Sequence, residues 1–118
     1  MPRDLSHFLA DILASCEAIG RITAATTQQS LFTDSDERTL PAVERHLFII
    51  GEAASQIPEA VRSRHPEVAW RQIIATRNIL AHGYWRIDRD VLWNIIEHDI
   101  AELAAQIRKI QGLPAVPP

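Results

Sequence analysis

Four long stretches of this chain repeat apolar residues at intervals of three and four, and no segment alternates apolar with polar residues as a half-buried strand does. The first stripe is Leu5, Phe8, Leu9, Ile12, Leu13, Cys16 and Ile19. A second runs through Val43, Leu47, Ile50 and Ala54, and the last through Leu92, Ile96, Ile100, Leu103, Ile107 and Ile110. Each stripe marks one face of a helix that has to be buried against another helix. The pattern predicts an all-α fold, an up-and-down bundle of four long helices plus a short helix.

Punctuation residues set the expected boundaries. The first helix should run from about Asp4 to Thr27, followed by the loop LFTDSDER, in which Asp34 and Asp36 are candidate N-caps. Pro41 requires the second helix either to restart near Thr39 or to kink. Pro58 should open the short helix PEAVRSRH, and Pro66 the third long one, which Gly83 should end. Asp88 should cap the final helix and Gly112 stop it. Residues 1–112 read as a single domain and 113–118, LPAVPP, as a disordered tail.

Gly51, in "IIGEAAS", sits inside the second helix, where glycine costs up to about 1 kcal/mol relative to alanine. With Ala53, Ala54 and Ser55 beside it, the glycine implies that a neighbouring helix approaches closely there.

No run of 18 apolar residues occurs, and the N-terminus carries acids where a signal peptide would carry bases, so the expectation is a cytoplasmic protein without a membrane partner. The single cysteine forbids an internal disulfide and a cysteine-built structural zinc site, and the five histidines have no paired ligand spacing; no metal or cofactor is expected. A net charge of −3 argues against coating nucleic acid through bulk charge. Locally the balance reverses. Between Arg62 and Arg89 there are six arginines and two acids, a segment of +4, with −7 on the remainder.

Within that segment lies "RNILAHGYW", where Arg77, Asn78, His82 and Tyr84 interrupt an apolar helical run. On the third helix Val68, Ile73, Ile74, Ile79 and Leu80 should face the bundle, with Arg77, Asn78 and His82 toward another side. Asn78 and His82 are four apart and therefore neighbours on the helix surface. His82 falls in the last turn, a suitable place for a proton donor or shuttle. Singly, each residue has an ordinary use: a histidine capping a helix, Asn78 bonding a backbone carbonyl, Tyr84 in the core, Arg77 pairing with Glu52. Together they supply a cationic fork for phosphate oxygens, a group that moves protons, and an amide that holds the ring or a substrate oxygen. That is a set able to cleave a phosphodiester without a metal. Glu52 is a candidate to orient Arg77 or His82. Arg71, Arg86 and Arg89 are candidate contacts to the strand that carries such a phosphodiester, and Trp70, Trp85 and Trp93 either stack on bases or pack.

The pattern Arg77-x4-His82-x-Tyr84, with Asn78 directly after the arginine, resembles the signature of HEPN-domain ribonucleases, specifically the HepT-like toxins of toxin–antitoxin pairs. "IIGEAASQIP", "PEVAWRQIIATRNILAHGYW" and "DRDVLWNIIEHDIAEL" resemble segments of that family in order and spacing. The resemblance implies a metal-independent endoribonuclease acting as a homodimer, with two motif helices facing one cleft. It implies Arg77 and His82 as the catalytic pair, Asn78 in support, and a 2'-OH attack that leaves a cyclic phosphate. It further implies a nucleotidyltransferase antitoxin that transfers AMP to Tyr84. Two alternatives remain open on the residues: a non-catalytic helical adaptor binding a nucleotidyltransferase or RNA, and a structural helical dimer with a polar seam.

Overall fold

The computed structural model describes residues 4–33, 38–83 and 88–112. Its elements are α1 (Leu5–Thr23), α2 (Gln28–Thr33), α3 (Thr39–Gln56), α4 (Glu59–Arg62), α5 (Trp70–Gly83), α6 (Arg89–Asn94) and α7 (Ile100–Gln111). A single π-helical turn, Ile95–Asp99, joins α6 to α7 in one continuous rod. The protein is an all-α bundle, with no strand among the described residues.

The first, second and last of the four stripes become one core. Ile12, Ile19, Val43, Ala54 and Ile107 are sealed from solvent, with Leu9, Leu47, Ile50, Leu92, Leu103 and Cys16 packed around them. Burial, aided by the neighbouring Glu17, pushes the Cys16 thiol up to about 12, so it behaves as a small apolar side chain. α3 packs on α1 on one side and on α5 on the other, and α7 packs on α1. An ion pair between Arg108 and Glu17 (3.2 Å) ties α7 to α1.

Several boundaries differ from the sequence expectation. The first helix stops at Thr23, and a new one starts after Thr27. Thr27 and Ser30 cap each other's backbone N–H groups (2.9 and 3.0 Å), a reciprocal box that favours a fresh start over continuation. Leu31 and Phe32 thus belong to a helix, so α2 joins α4 as a short helix standing apart from the long rods. Asp34 and Asp36 lie outside the described residues, as does the tail 113–118. The second long helix starts at Thr39, with Pro41 in its first turn.

The third long helix starts at Trp70, four residues after Pro66. The buried Trp70 indole N–H donates to the His65 carbonyl (3.0 Å), and the Val68 N–H donates to the same carbonyl (3.2 Å). Both bonds occupy the His65 carbonyl, which a helix begun at Pro66 would give to the Ala69 N–H.

The last rod begins and ends as expected. The Asp88 carboxylate accepts from the N–H groups of Asp90 and Val91, and Gly112 adopts φ 75°, which favours glycine. The π turn within it was not anticipated. The Ile100 N–H donates to the carbonyl of Ile95, and the wider turn keeps Leu92, Ile96 and Ile100 on one buried face.

Candidate active site

The α3–α5 contact places the motif. Gly51 and Arg77 meet where the two helices approach: a Cβ on residue 51 would lie 2.1 Å from the Arg77 Cβ, 2.9 Å from its Cγ and 3.0 Å from the Ile73 carbonyl oxygen. Only glycine permits this spacing. Arg77 therefore faces α3, and the expectation that it points away from the bundle is corrected. The reason is that the missing side chain at 51 opens a slot for its aliphatic stem. Ile79, expected inside, is 37% exposed.

From that slot the guanidinium spreads into a fixed set of contacts. Its Nη2 donates to Glu52 Oε1 (2.8 Å), its Nη1 donates to Asn78 Oδ1 (2.7 Å), and its central carbon, Cζ, lies 5.7 Å from the centre of the Phe48 ring. The Ser55 hydroxyl donates to the Glu52 backbone carbonyl (2.7 Å) and lies 3.4 Å from Glu52 Oε1. The Arg77 Nε is buried and has no hydrogen-bond partner among the described residues. Arg77, Asn78 and Glu52 are thus one cluster, and of the two candidate partners for Glu52 the structure selects Arg77. An arginine with both fork nitrogens engaged loses little further freedom when it meets a charged ligand.

His82 is exposed in the last turn of α5, one turn beyond Asn78. Arg71, Ala75, Asn78 and His82, at spacings of four, three and four, are all exposed and form one stripe along α5. Arg71 and Asn78 also line a cavity of about 510 Å³ between α4 and α5. Arg89 stands apart from this cluster on α6, its guanidinium 5.4 Å from the centre of the Phe32 ring. Tyr84, Trp85 and Arg86 lie outside the described residues. Trp70 is buried and Trp93 packs against the core, so both serve packing.

Two features escaped the sequence reading. Phe48 beneath Arg77 carried a signal, since it lies four residues before Glu52 and so on the same face of α3. The buried Ser15 hydroxyl meets His46 Nδ1 at 3.1 Å between α1 and α3, a contact that nothing local announces. Among the described residues no three acidic, histidine or cysteine side chains are grouped to hold a metal ion, and no helix is long and apolar enough to cross a membrane.

A helical bundle with Arg77, Asn78 and His82 on the helix that packs against "IIGEAAS" fits the HEPN class of ribonuclease domains, the class to which the comparisons with known proteins lead. The chain belongs to the HepT-like ribonuclease family, whose model matches residues 12–110. A Thermococcus cleftensis protein named as a probable ribonuclease HepT is 35% identical to it over 94% of this chain and 99% of its own length. A Methanocaldococcus jannaschii protein named for RNase activity is 34% identical over 89% of this chain and 94% of its own. Another, from Caldanaerobacter subterraneus subsp. tengcongensis, is 32% identical over 87% and 90%. No solved structure matches significantly.

Proposed function

We propose that this protein is the toxin of a toxin–antitoxin pair, a cytoplasmic, metal-independent endoribonuclease that works as a homodimer and is neutralised by a nucleotidyltransferase. The observation that carries the reading is the oriented Arg77, held by Glu52 and Asn78 one turn from an exposed His82 in a chain of the ribonuclease family.

His82 takes the proton of a ribose 2'-OH, the 2'-oxygen bonds to the adjacent phosphorus, and the bond from phosphorus to the 5'-oxygen breaks. The protonated His82 returns that proton to the departing 5'-oxygen, leaving a 2',3'-cyclic phosphate and a 5'-hydroxyl. Arg77 stabilises the negative charge on the phosphoryl oxygens, and Asn78 positions it. Two motif helices facing across a dimer axis bring two +4 segments to one cleft, which gives an acidic protein a local attraction for RNA. Arg71, Arg86 and Arg89 contribute to that attraction. Tyr84, two residues past His82, is the acceptor of AMP from the antitoxin, and the added phosphate repels the RNA phosphates from the cleft.

Expression with and without a cognate nucleotidyltransferase tests this. The expected result is growth arrest by the protein alone, relief by the partner, and a mass gain of one AMP that Tyr84→Phe abolishes. Relief with Tyr84 unmodified would replace modification by masking. No arrest, and no RNA cleavage by the purified protein, would favour the non-catalytic adaptor.

A further inference from the structure

The cavity between α4 and α5 has a lining that the motif does not account for. Arg62 and Ser63 come from the α4 end, and Arg71, Ala75 and Asn78 from one face of α5. Arg62 is held in place through its Nε, which donates to the Ile57 carbonyl (3.1 Å). Arg71 is exposed and has no protein partner among the described residues. Glu59 is the acid among the lining residues, so two guanidiniums outweigh one carboxylate in a chain whose net charge is −3.

The groove also runs into the motif. Asn78 lines it while its Oδ1 accepts from Arg77, which leaves the amide NH2 as a donor toward the groove. Trp70 forms part of the wall, but it is buried and its N–H is used by His65, so it offers no open ring for a base to stack on. Cations without a stacking platform select the charged backbone of a strand over its bases.

We infer that the α4–α5 groove is a track for the sugar-phosphate backbone of single-stranded RNA on one side of the scissile bond, with Arg62 and Arg71 as its phosphate-binding residues. This rests on the ribonuclease reading and names how that site holds its substrate. The strand passes from His82 and Asn78 along the α5 stripe to Arg71, over a helix length of roughly 16 Å. Because the contacts are to phosphates, the track adds affinity without sequence preference, and any selectivity arises elsewhere.

The test is binding of labelled single-stranded oligouridine and oligocytidine RNA in the His82→Ala background, so that binding is read apart from cleavage. Arg71→Glu is expected to weaken both oligomers several-fold and alike, and to lower the slope of log K against log salt by about 0.7, one phosphate contact. Arg62→Gln should act in the same direction, and Glu59→Gln should tighten binding. Arg21→Glu, the same charge change on an exposed position of α1, is the control and should have a smaller effect. Equal losses from Arg71→Glu and Arg21→Glu, a loss confined to one oligomer, no RNA binding at all, or loss of nucleotidyltransferase binding with RNA binding intact would each overturn the track. Failure of the wild-type protein to cleave RNA would instead overturn the ribonuclease reading, with these affinities still measured.

Discussion

Gly51 on α3 and Arg77 on α5 occupy one site: the absent side chain of the first is the space taken by the stem of the second. The catalytic arginine of the proposed mechanism is therefore positioned by packing as well as by charge.

Gly51→Ala tests this relationship. In an isolated helix the change should stabilise by up to about 1 kcal/mol. Here the new methyl would lie 2.1 Å from the Arg77 Cβ, which is anchored to the backbone and cannot swing aside. The helices must separate, at a typical overpacking cost of about 1–3 kcal/mol. Thermal melts should show a Tm lowered by several degrees, with RNA cleavage reduced as Arg77 is displaced. An unchanged or raised Tm would refute the close approach.

Glu52 and Arg77 should matter more to catalysis than to stability. The pair is partly exposed, 41% and 29% by side chain, so its stabilisation is at most about 1 kcal/mol. Glu52→Gln keeps an oxygen acceptor near Nη2, whereas Glu52→Ala removes it. The expected order of kcat is wild type, then Gln, then Ala, with Tm values close together. If Glu52→Ala cleaves as fast as wild type, the carboxylate has no positioning role.

His46 should make stability depend on pH. Burial, with Arg45 and Arg21 nearby, holds its imidazole below the ordinary histidine value of 6.5, so the folded protein favours the neutral ring that meets Ser15. The unfolded chain binds the proton more readily, so this contribution is complete above pH 6.5 and is lost as pH falls through the lowered folded value. Between pH 7.5 and 5.5 the wild-type Tm should fall more than that of His46→Gln. Parallel curves would show that His46 does not titrate against folding.

The helical class and most of the core were legible because stripes such as Val43–Leu47–Ile50–Ala54 and Leu103–Ile107 record burial directly in their spacing. Gly51 was legible for the same reason, since a mid-helix glycine is costly unless a neighbour needs the room. The start of α5 was not, because Pro66 is equally at home in a first turn and in the turn that Trp70 stabilises through His65. The facing direction of Arg77 was hidden too. Apolar periodicity points a charged residue outward, and only the tertiary pairing with Gly51 and Glu52 turns it inward. The π turn left a faint trace in the two successive four-residue intervals from Leu92 to Ile100, wider than an α-helical turn.

The central claim is that His82 moves the proton while Arg77 holds the phosphate. It is tested most directly by incubating single-stranded RNA with wild-type and His82→Ala protein, in the presence of a metal chelator, and analysing the product ends. The account predicts wild-type cleavage that leaves 2',3'-cyclic phosphates, and a loss of at least about 10²-fold in His82→Ala with an unchanged Tm, since the residue is exposed. Equal cleavage by the two proteins, or wild-type cleavage that the chelator abolishes, would contradict it.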